Sequence, residues 1–274
     1  MNSNSPGDLN GVADSLEDAF IEQPWQGLRR FTDARIALGR AGQSLPTHAH
    51  LNFQLAQAQA RDAVRVAFDV ARMVELLHAD GHDALALHSA AHDRQTYLQR
   101  PDLGRRLSES SCASLRSWYE QQPTRPNIDV CFVLADGLSA MAVQSQAIGF
   151  LSLMRAVLAS DQRLWKLGPV CIVEQGRVAV GDEVGGLLGA DLVVVLIGER
   201  PGLSSPESMG IYMTWAPRVG RMDSERNCIS NVRSAGLSLE DATSKLRLLM
   251  EKARTLQLTG VQLKDEEDTH SRLA

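Results

Sequence analysis

Every residue from Leu192 to Ile197 is Leu, Val or Ile. A strand with one wet face alternates apolar and polar residues. An unbroken apolar run suits a strand covered on both faces, as in a parallel sheet with helices on each side. Ile128–Leu134, Val170–Val173 and Ile211–Trp215 are further short apolar runs. Between them, apolar residues recur at the three- and four-residue spacing of a helix. Ala147, Phe150, Leu151, Met154 and Leu158 form one stripe; Val184, Leu187 and Leu188 mark a short helix that Gly189 can end. The best-marked helix starts at Ser238, with Asp241 at its third position and a stripe of Leu239, Ala242, Leu246, Leu249, Ala253 and Leu256. This order of elements predicts an α/β fold with a Rossmann-like, doubly wound C-terminal domain.

A smaller, mainly helical N-terminal region is expected ahead of it. Thr47 to about Leu77 reads as one helix, with Leu51, Leu55 and Ala58 on its stripe and Ala60, Val64 and Ala67 continuing it. Arg105–Tyr119 reads as a second, carrying Leu107, Ser111, Leu115, Trp118 and Tyr119, and Pro123 and Pro126 stop it. These prolines set the expected boundary: residues 24–125 form the helical region and 126–274 the sheet domain. Residues 1–23 contain Asp8, Asp14, Glu17, Asp18 and Glu22 and no Lys or Arg, which accounts for the whole formal net charge of -5. That stretch reads as a mobile acidic tail, and Asp265–Asp268 as a frayed acidic end. Arg35 and Arg40, in a partly apolar segment, read as exposed ion-pair partners.

With the tail set aside, the remaining charge is balanced. Nucleic acid binding needs a surplus of Lys and Arg on one face, so neither a nucleic-acid partner nor a polybasic membrane anchor is expected. No run of about 18 apolar residues occurs, and the N-terminus lacks the basic-then-apolar order of a signal peptide. The expected location is the cytoplasm. Cys112, Cys131, Cys171 and Cys228 are widely spaced, with no CxxC pattern, which predicts reduced thiols rather than a disulfide framework or zinc site. The stretch from His78 to His92, with Asp80 and Asp83, reads as a solvated polar face rather than a metal cluster, and Cys228 as a buried thiol. Phosphate-binding glycine fingerprints are missing, and the chain shows no catalytic constellation of its own.

In doubly wound sheets, ligands sit in the crevice at the carboxyl ends of the strands. Two strands run into polar turns there: Asp136-Gly137-Leu138-Ser139 and Gly198-Glu199-Arg200-Pro201-Gly202. Asp136-Gly137 reads first as a turn signal. Glu199 and Arg200 either offer a carboxylate and a guanidinium to the amides of a large polar ligand or pair with each other within the loop.

Several longer motifs occur in one order: Ala34-Arg35-Ile36-Ala37-Leu38-Gly39-Arg40-Ala41-Gly42, Arg100-Pro101-Asp102-Leu103-Gly104-Arg105-Arg106-Leu107, the two turns above, and Asn227-Cys228-Ile229-Ser230-Asn231. From about Leu28 to Leu263 the chain resembles the small (light) subunits of ethanolamine ammonia-lyase. The resemblance implies a subunit of an adenosylcobalamin-dependent lyase that converts ethanolamine to acetaldehyde and ammonia by radical chemistry. It implies a hetero-oligomer in which a large TIM-barrel subunit holds substrate and the small subunit helps enclose the cobalamin. By motif position, it implies cobalamin contacts at Val178, Glu199 and Cys228, with base-on binding. A bacterial microcompartment is a setting that the resemblance leaves open. The competing readings from the residues alone are a stand-alone α/β nucleotide-binding enzyme and a structural adaptor.

Overall fold

The computed structural model describes residues 20–21, 24–124, 127–161 and 164–264. Most of the expected acidic tail, Pro126 and the Asp265–Asp268 end lie outside the described residues. The chain divides into two compact units, Met1–Arg61 with Gly202–Ser204, and Asp62–Pro201 with Ser205–Ala274. The division therefore falls at Arg61 and not at the prolines near residue 125.

In the first unit, β1 (Phe20–Ile21) pairs antiparallel with β2 (Arg40–Ala41), and a 3-10 helix covers Pro24–Phe31. Arg35 donates to the Leu203 carbonyl at 3.3 Å and the Ser204 hydroxyl at 3.4 Å, and its guanidinium lies 6.0 Å from the Phe53 ring centre. It is therefore a hydrogen-bonding and stacking residue where an ion pair was expected.

The helix predicted over 47–77 is two helices, α1 (Thr47–Ala63) and α2 (Val70–Ala79). Asp69 explains the restart: its carboxylate accepts the Arg72 N–H at 2.9 Å. A short acidic side chain competes for backbone bonds inside a helix but satisfies an otherwise unpaired N–H at its start. The expected packing stripe also differs, since Leu51 and Leu55 are 56% and 58% exposed while Ala49, Ala56 and Ala63 are buried.

The second unit continues through β3 (Ala84–His88), α3 (Arg94–Gln99), α4 (Glu109–Glu120), β4 (Val130–Ala135), α5 (Ala140–Ala159), β5 (Val170–Glu174), α6 (Val180–Leu188), β6 (Leu192–Gly198), β7 (Met209–Trp215), β8 (Asn227–Val232) and α7 (Leu239–Leu256). Its six strands form one sheet in the order β3-β5-β4-β6-β7-β8. Strands β3, β5, β4 and β6 are parallel, with Val130 opposite Leu192 and Ala135 opposite Ile197; β7 and β8 add on antiparallel.

Strand β4 shows why the sequence pattern is continuous. Val130, Phe132 and Leu134 join a core with α2, α5 and α7, whereas Cys131, Val133 and Ala135 join another with α4 and α6. Helices thus cover both faces, and a fully buried aliphatic side chain on either contributes about 1.5–3 kcal/mol. The stripe predicted on α5 is buried throughout. Although α5 is long and apolar enough to cross a membrane, it spends this apolar surface on the sheet and on α7.

Two strands of the six-stranded sheet escape the sequence reading, as does the short β1–β2 pair of the first unit. β3 lies inside the stretch expected to be a solvated polar face, and Leu87, Ser89 and Ala91 there are buried. β8 carries Asn227-Cys228-Ile229-Ser230-Asn231-Val232, in which only Ile229 and Val232 are buried. Both are sheet edges, where one neighbour is enough and the apolar signal thins. Helix α4 begins at Glu109, later than predicted, because Ser108 accepts the Ser111 N–H at 3.2 Å.

Candidate functional site

Val178, Glu199 and Cys228 come from three parts of the second unit. Val178 lies in the turn from β5 to α6. Gln175 opens this turn with φ +54°, the left-handed region. Gly176 donates its N–H to Asp136 Oδ1 at 3.0 Å, and Arg177 donates its N–H to the Gly104 carbonyl at 2.8 Å. The Val180 and Gly181 N–H groups then turn back onto the Arg177 and Val178 carbonyls, which starts α6.

Cys228 lies on β8 directly opposite Tyr212 of β7. It is exposed rather than buried as expected. The protein packed against its inner side still desolvates the thiol enough to raise its pKa; a hydrogen bond with Tyr212 works against this rise and the Glu199 charge adds to it. Tyr212 is raised as well, by burial first, then by its bond with Cys228 and the charges of Glu199 and Asp223. A neutral thiol and a neutral phenol therefore face the recess at neutral pH, and neither is poised as a nucleophile.

Val178 and Cys228 line one recess of about 240 Å³ together with Arg105, Arg177, Ala179, Tyr212, Asp223 and Arg226. Glu199 is not part of that lining, but its charge acts on both Tyr212 and Cys228. Its Oε2 accepts from the Ser208 hydroxyl at 2.6 Å and the Asn231 N–H at 3.3 Å. These bonds, not an ion pair with Arg200, hold the carboxylate, and Oε1 is left without a hydrogen bond among the described residues. The recess lies on the α4/α6 face over the β7–β8 edge, beside the start of α6, so only part of the site sits in the crevice expected at the strand ends. A larger hollow of about 590 Å³ occurs in the first unit, lined by Arg29, Arg30, Arg35 and His48 among others, and contains none of the three residues.

A buried ion pair forms the floor. Arg226 donates to both oxygens of Asp182, at 2.5 and 2.7 Å, and also to Thr214 and the Arg221 carbonyl. Burial disfavours the charge on each partner, and Asp182 ends raised while Arg226 ends further raised. The two-pronged geometry decides for the ionised pair, because an arginine this well bonded does not give up its proton. On the other wall, the Arg177 guanidinium stacks 4.4 Å from the Tyr97 ring centre and donates to the Tyr97 carbonyl at 2.9 Å. Its Nε is buried without a partner. Desolvation pushes the Tyr97 phenol up to about 12.

Sequence reasoning missed Tyr212, Arg226, Asp182 and the Arg94–Tyr97–Arg177 stack. Asp182 carried only a weak signal, since Glu183 stands beside it in a helix whose other residues are apolar or glycine; Tyr212 and Arg226 depend on pairing that spacing does not reveal. Among the described residues no group of three His, Cys, Asp or Glu side chains could hold a metal ion, and all four cysteines are free. His82 instead pairs with Asp80 at 3.2 Å.

The fold and recess define a class: α/β proteins with a recess where a helix start meets the antiparallel edge of a mostly parallel sheet. The profile of the ethanolamine ammonia-lyase light chain (EutC) matches residues 22–264. The ethanolamine ammonia-lyase small subunit of Pseudomonas putida (strain GB-1) is 56% identical over 250 residues, covering 91% of this chain and 90% of that protein. The small subunit of Azotobacter vinelandii is 57% identical over 245 residues, 89% of each chain, and that of Pseudomonas paraeruginosa 55% identical over 259, or 93% and 92%. The chain belongs to the ethanolamine ammonia-lyase small-subunit family, the light chains of a two-subunit lyase.

Proposed function

We propose that this chain forms one wall of an adenosylcobalamin site completed by the large subunit of ethanolamine ammonia-lyase, in a hetero-oligomer that converts ethanolamine to acetaldehyde and ammonia. The observation that carries this reading is the gathering of Val178, Glu199 and Cys228 around Tyr212, two of them lining the recess and the third acting on it. When bound, the cofactor supplies the radical chemistry. The chain's own residues bind and orient.

The residues fit such a group. A corrin has an apolar ring and a rim of amides. Val178 offers the ring an apolar contact; Glu199 Oε1 can accept an amide N–H; Arg105, Arg177 and the Tyr212 hydroxyl can donate to amide oxygens. The buried, unpartnered Arg177 Nε is one donor in need of an acceptor. At about 240 Å³ the recess is smaller than the roughly 300–1,000 Å³ that enclose a drug-sized ligand. It can therefore hold only an edge of so large a cofactor, which supports a site completed by a second chain.

We also read the sheet as Rossmann-like and doubly wound. Support comes from helices on both faces and from β5 and β6 leaving the central β4 on opposite sides, through α5 on one face and α6 on the other.

The test is cobalamin co-elution on gel filtration, with this chain alone and mixed with the large subunit. Retention only in the mixture is expected. Glu199→Ala should weaken retention in an assembled complex, and unchanged affinity would remove Glu199 from the site. Retention by neither sample would favour the nucleotide-enzyme or adaptor reading.

A further inference from the structure

Asp136 reads from the sequence as half of a turn signal, yet its side chain is 3% exposed. A turn needs no buried carboxylate. Its Oδ1 accepts the Gly176 N–H, two residues before Val178. The turn that it opens also holds the neighbouring strand end: the Leu138 N–H donates to the Gly198 carbonyl at 2.9 Å, and the Ser139 hydroxyl to the Pro206 carbonyl at 2.8 Å. Gly137, at φ +56°, and Gly198 press together so closely that a Cβ on either would strike backbone of the other's turn. Glu199 follows immediately.

Arg94 of α3 ties the same elements from outside. Its Nη1 donates to the Gly137 carbonyl at 2.8 Å and reaches Gln175 Oε1 at 3.4 Å and Asp136 Oδ2 at 3.5 Å; its Nε donates to the Val64 carbonyl at 2.9 Å. One carboxylate thus stands between the turn carrying Val178 and the turn carrying Glu199.

We infer that Asp136 is a positioning residue for the cofactor recess, its ionised carboxylate holding the Gly176–Val178 and Gly198–Glu199 turns in register with each other. This rests on the proposed cobalamin site. The groups facing the carboxylate are the N–H donors of Arg94, Gly176 and Gln175, the Glu174 carboxylate and the Tyr97 phenol, behind which the Arg177 guanidinium stacks on the Tyr97 ring. A proton on Asp136 sets a new donor among those donors, so protonation loosens the Gly176 bond and the turn. Desolvation pushes this carboxyl up to about 6, opposed by Arg94 and the two backbone bonds. Cobalamin retention should consequently weaken as pH falls through about 6.

The experiment measures cobalamin affinity of the assembled two-subunit complex by absorbance after gel filtration, across this pH interval, for the wild type, Asp136→Asn and Arg94→Gln. Asp136→Asn should bind about tenfold more weakly near neutral pH and lose the pH step. Arg94→Gln should move the step to higher pH, because the arginine holds the carboxyl down. A wild-type complex that binds cobalamin with no step near pH 6, or an Asp136→Asn complex that keeps both affinity and step, overturns the inference. If either variant fails to assemble, the wild-type profile alone decides. A wild-type complex that binds no cobalamin at any pH overturns the site reading itself, a different result from the other two.

Discussion

Asp136 and Asp182 are both 2% exposed and both lie beside an arginine, yet they are held in opposite ways. Asp182 meets Arg226 through two short, parallel hydrogen bonds, so that each charge is the main solvent of the other. Asp136 has its arginine at 3.5 Å and relies on backbone N–H groups. The first is a locked pair whose work is to seat β7, β8 and α6 against each other. The second is a charge kept at a cost, and charges kept at a cost are often found where geometry serves a ligand.

The largest expected effect breaks the locked pair. Arg226→Met removes the two-pronged partner of buried Asp182, and Asp182→Asn leaves Arg226 with only the exposed Asp223 carboxylate at 3.5 Å; removing one partner of a buried pair costs about 3–5 kcal/mol. Urea unfolding of the chain should show that loss for either variant. Replacing both residues by apolar ones of similar volume should restore much of it, since the pair's own desolvation cost then disappears as well.

Asp136 should behave with the opposite sign. Its carboxyl titrates near 6 in the folded chain against 3.8 for the ordinary group. The native state thus binds the proton more tightly than the unfolded chain. The stability this gives is fully present below the unfolded value and lost as pH rises through the folded one. Between about pH 4 and 6 the group should remove on the order of 3 kcal/mol from stability as pH rises. Asp136→Asn should flatten that slope and leave the chain more stable than the wild type at pH 7, by unfolding measured at several pH values. Stability and cobalamin retention would then respond to pH in opposite directions, a divergence that a purely structural role would not produce.

A smaller effect tests the contact that joins the two turns. Gly198→Ala places a methyl group against the Ser139 and Asp136 backbone. Overpacking of this kind costs about 1–3 kcal/mol. Because the strain falls on the turn ahead of Glu199, cofactor affinity should drop with the melting temperature, unlike in Asp136→Asn.

These two carboxylates also show what the sequence can reveal. The continuous apolar run at Leu192–Ile197 and the stripe on α5 give the sheet and its two helical layers directly, because burial on both faces leaves a one-dimensional trace. Edge strands leave little: β3 and β8 have one partner each, and β3 is a short Ala-Leu alternation with only Leu87 buried while β8 is half-polar. The break between α1 and α2 was written in Asp69, but a single cap residue is outweighed by the run of helix formers around it. The three residues of the proposed site, Val178, Glu199 and Cys228, came from the resemblance alone, whereas Asp136 and Arg226 have key partners 12 to 44 positions away in sequence. No local spacing announces such contacts.

Ser238 sets the floor of the comparison. Its hydroxyl accepts the Asp241 N–H at 3.1 Å and bonds the Asp241 carboxylate at 2.8 Å at the start of α7, as the sequence pattern predicts. Here a polar side chain and a carboxylate meet in water, not in the core. Ser238→Ala should therefore cost only about 1 kcal/mol in urea unfolding. The cost should be indifferent to pH around 6, where Asp136 titrates, and should leave cobalamin retention unchanged. The contrast isolates burial as the cause. The same kinds of groups make hydrogen bonds at all three sites, and only the two withdrawn from solvent make the fold's stability hang on a charge.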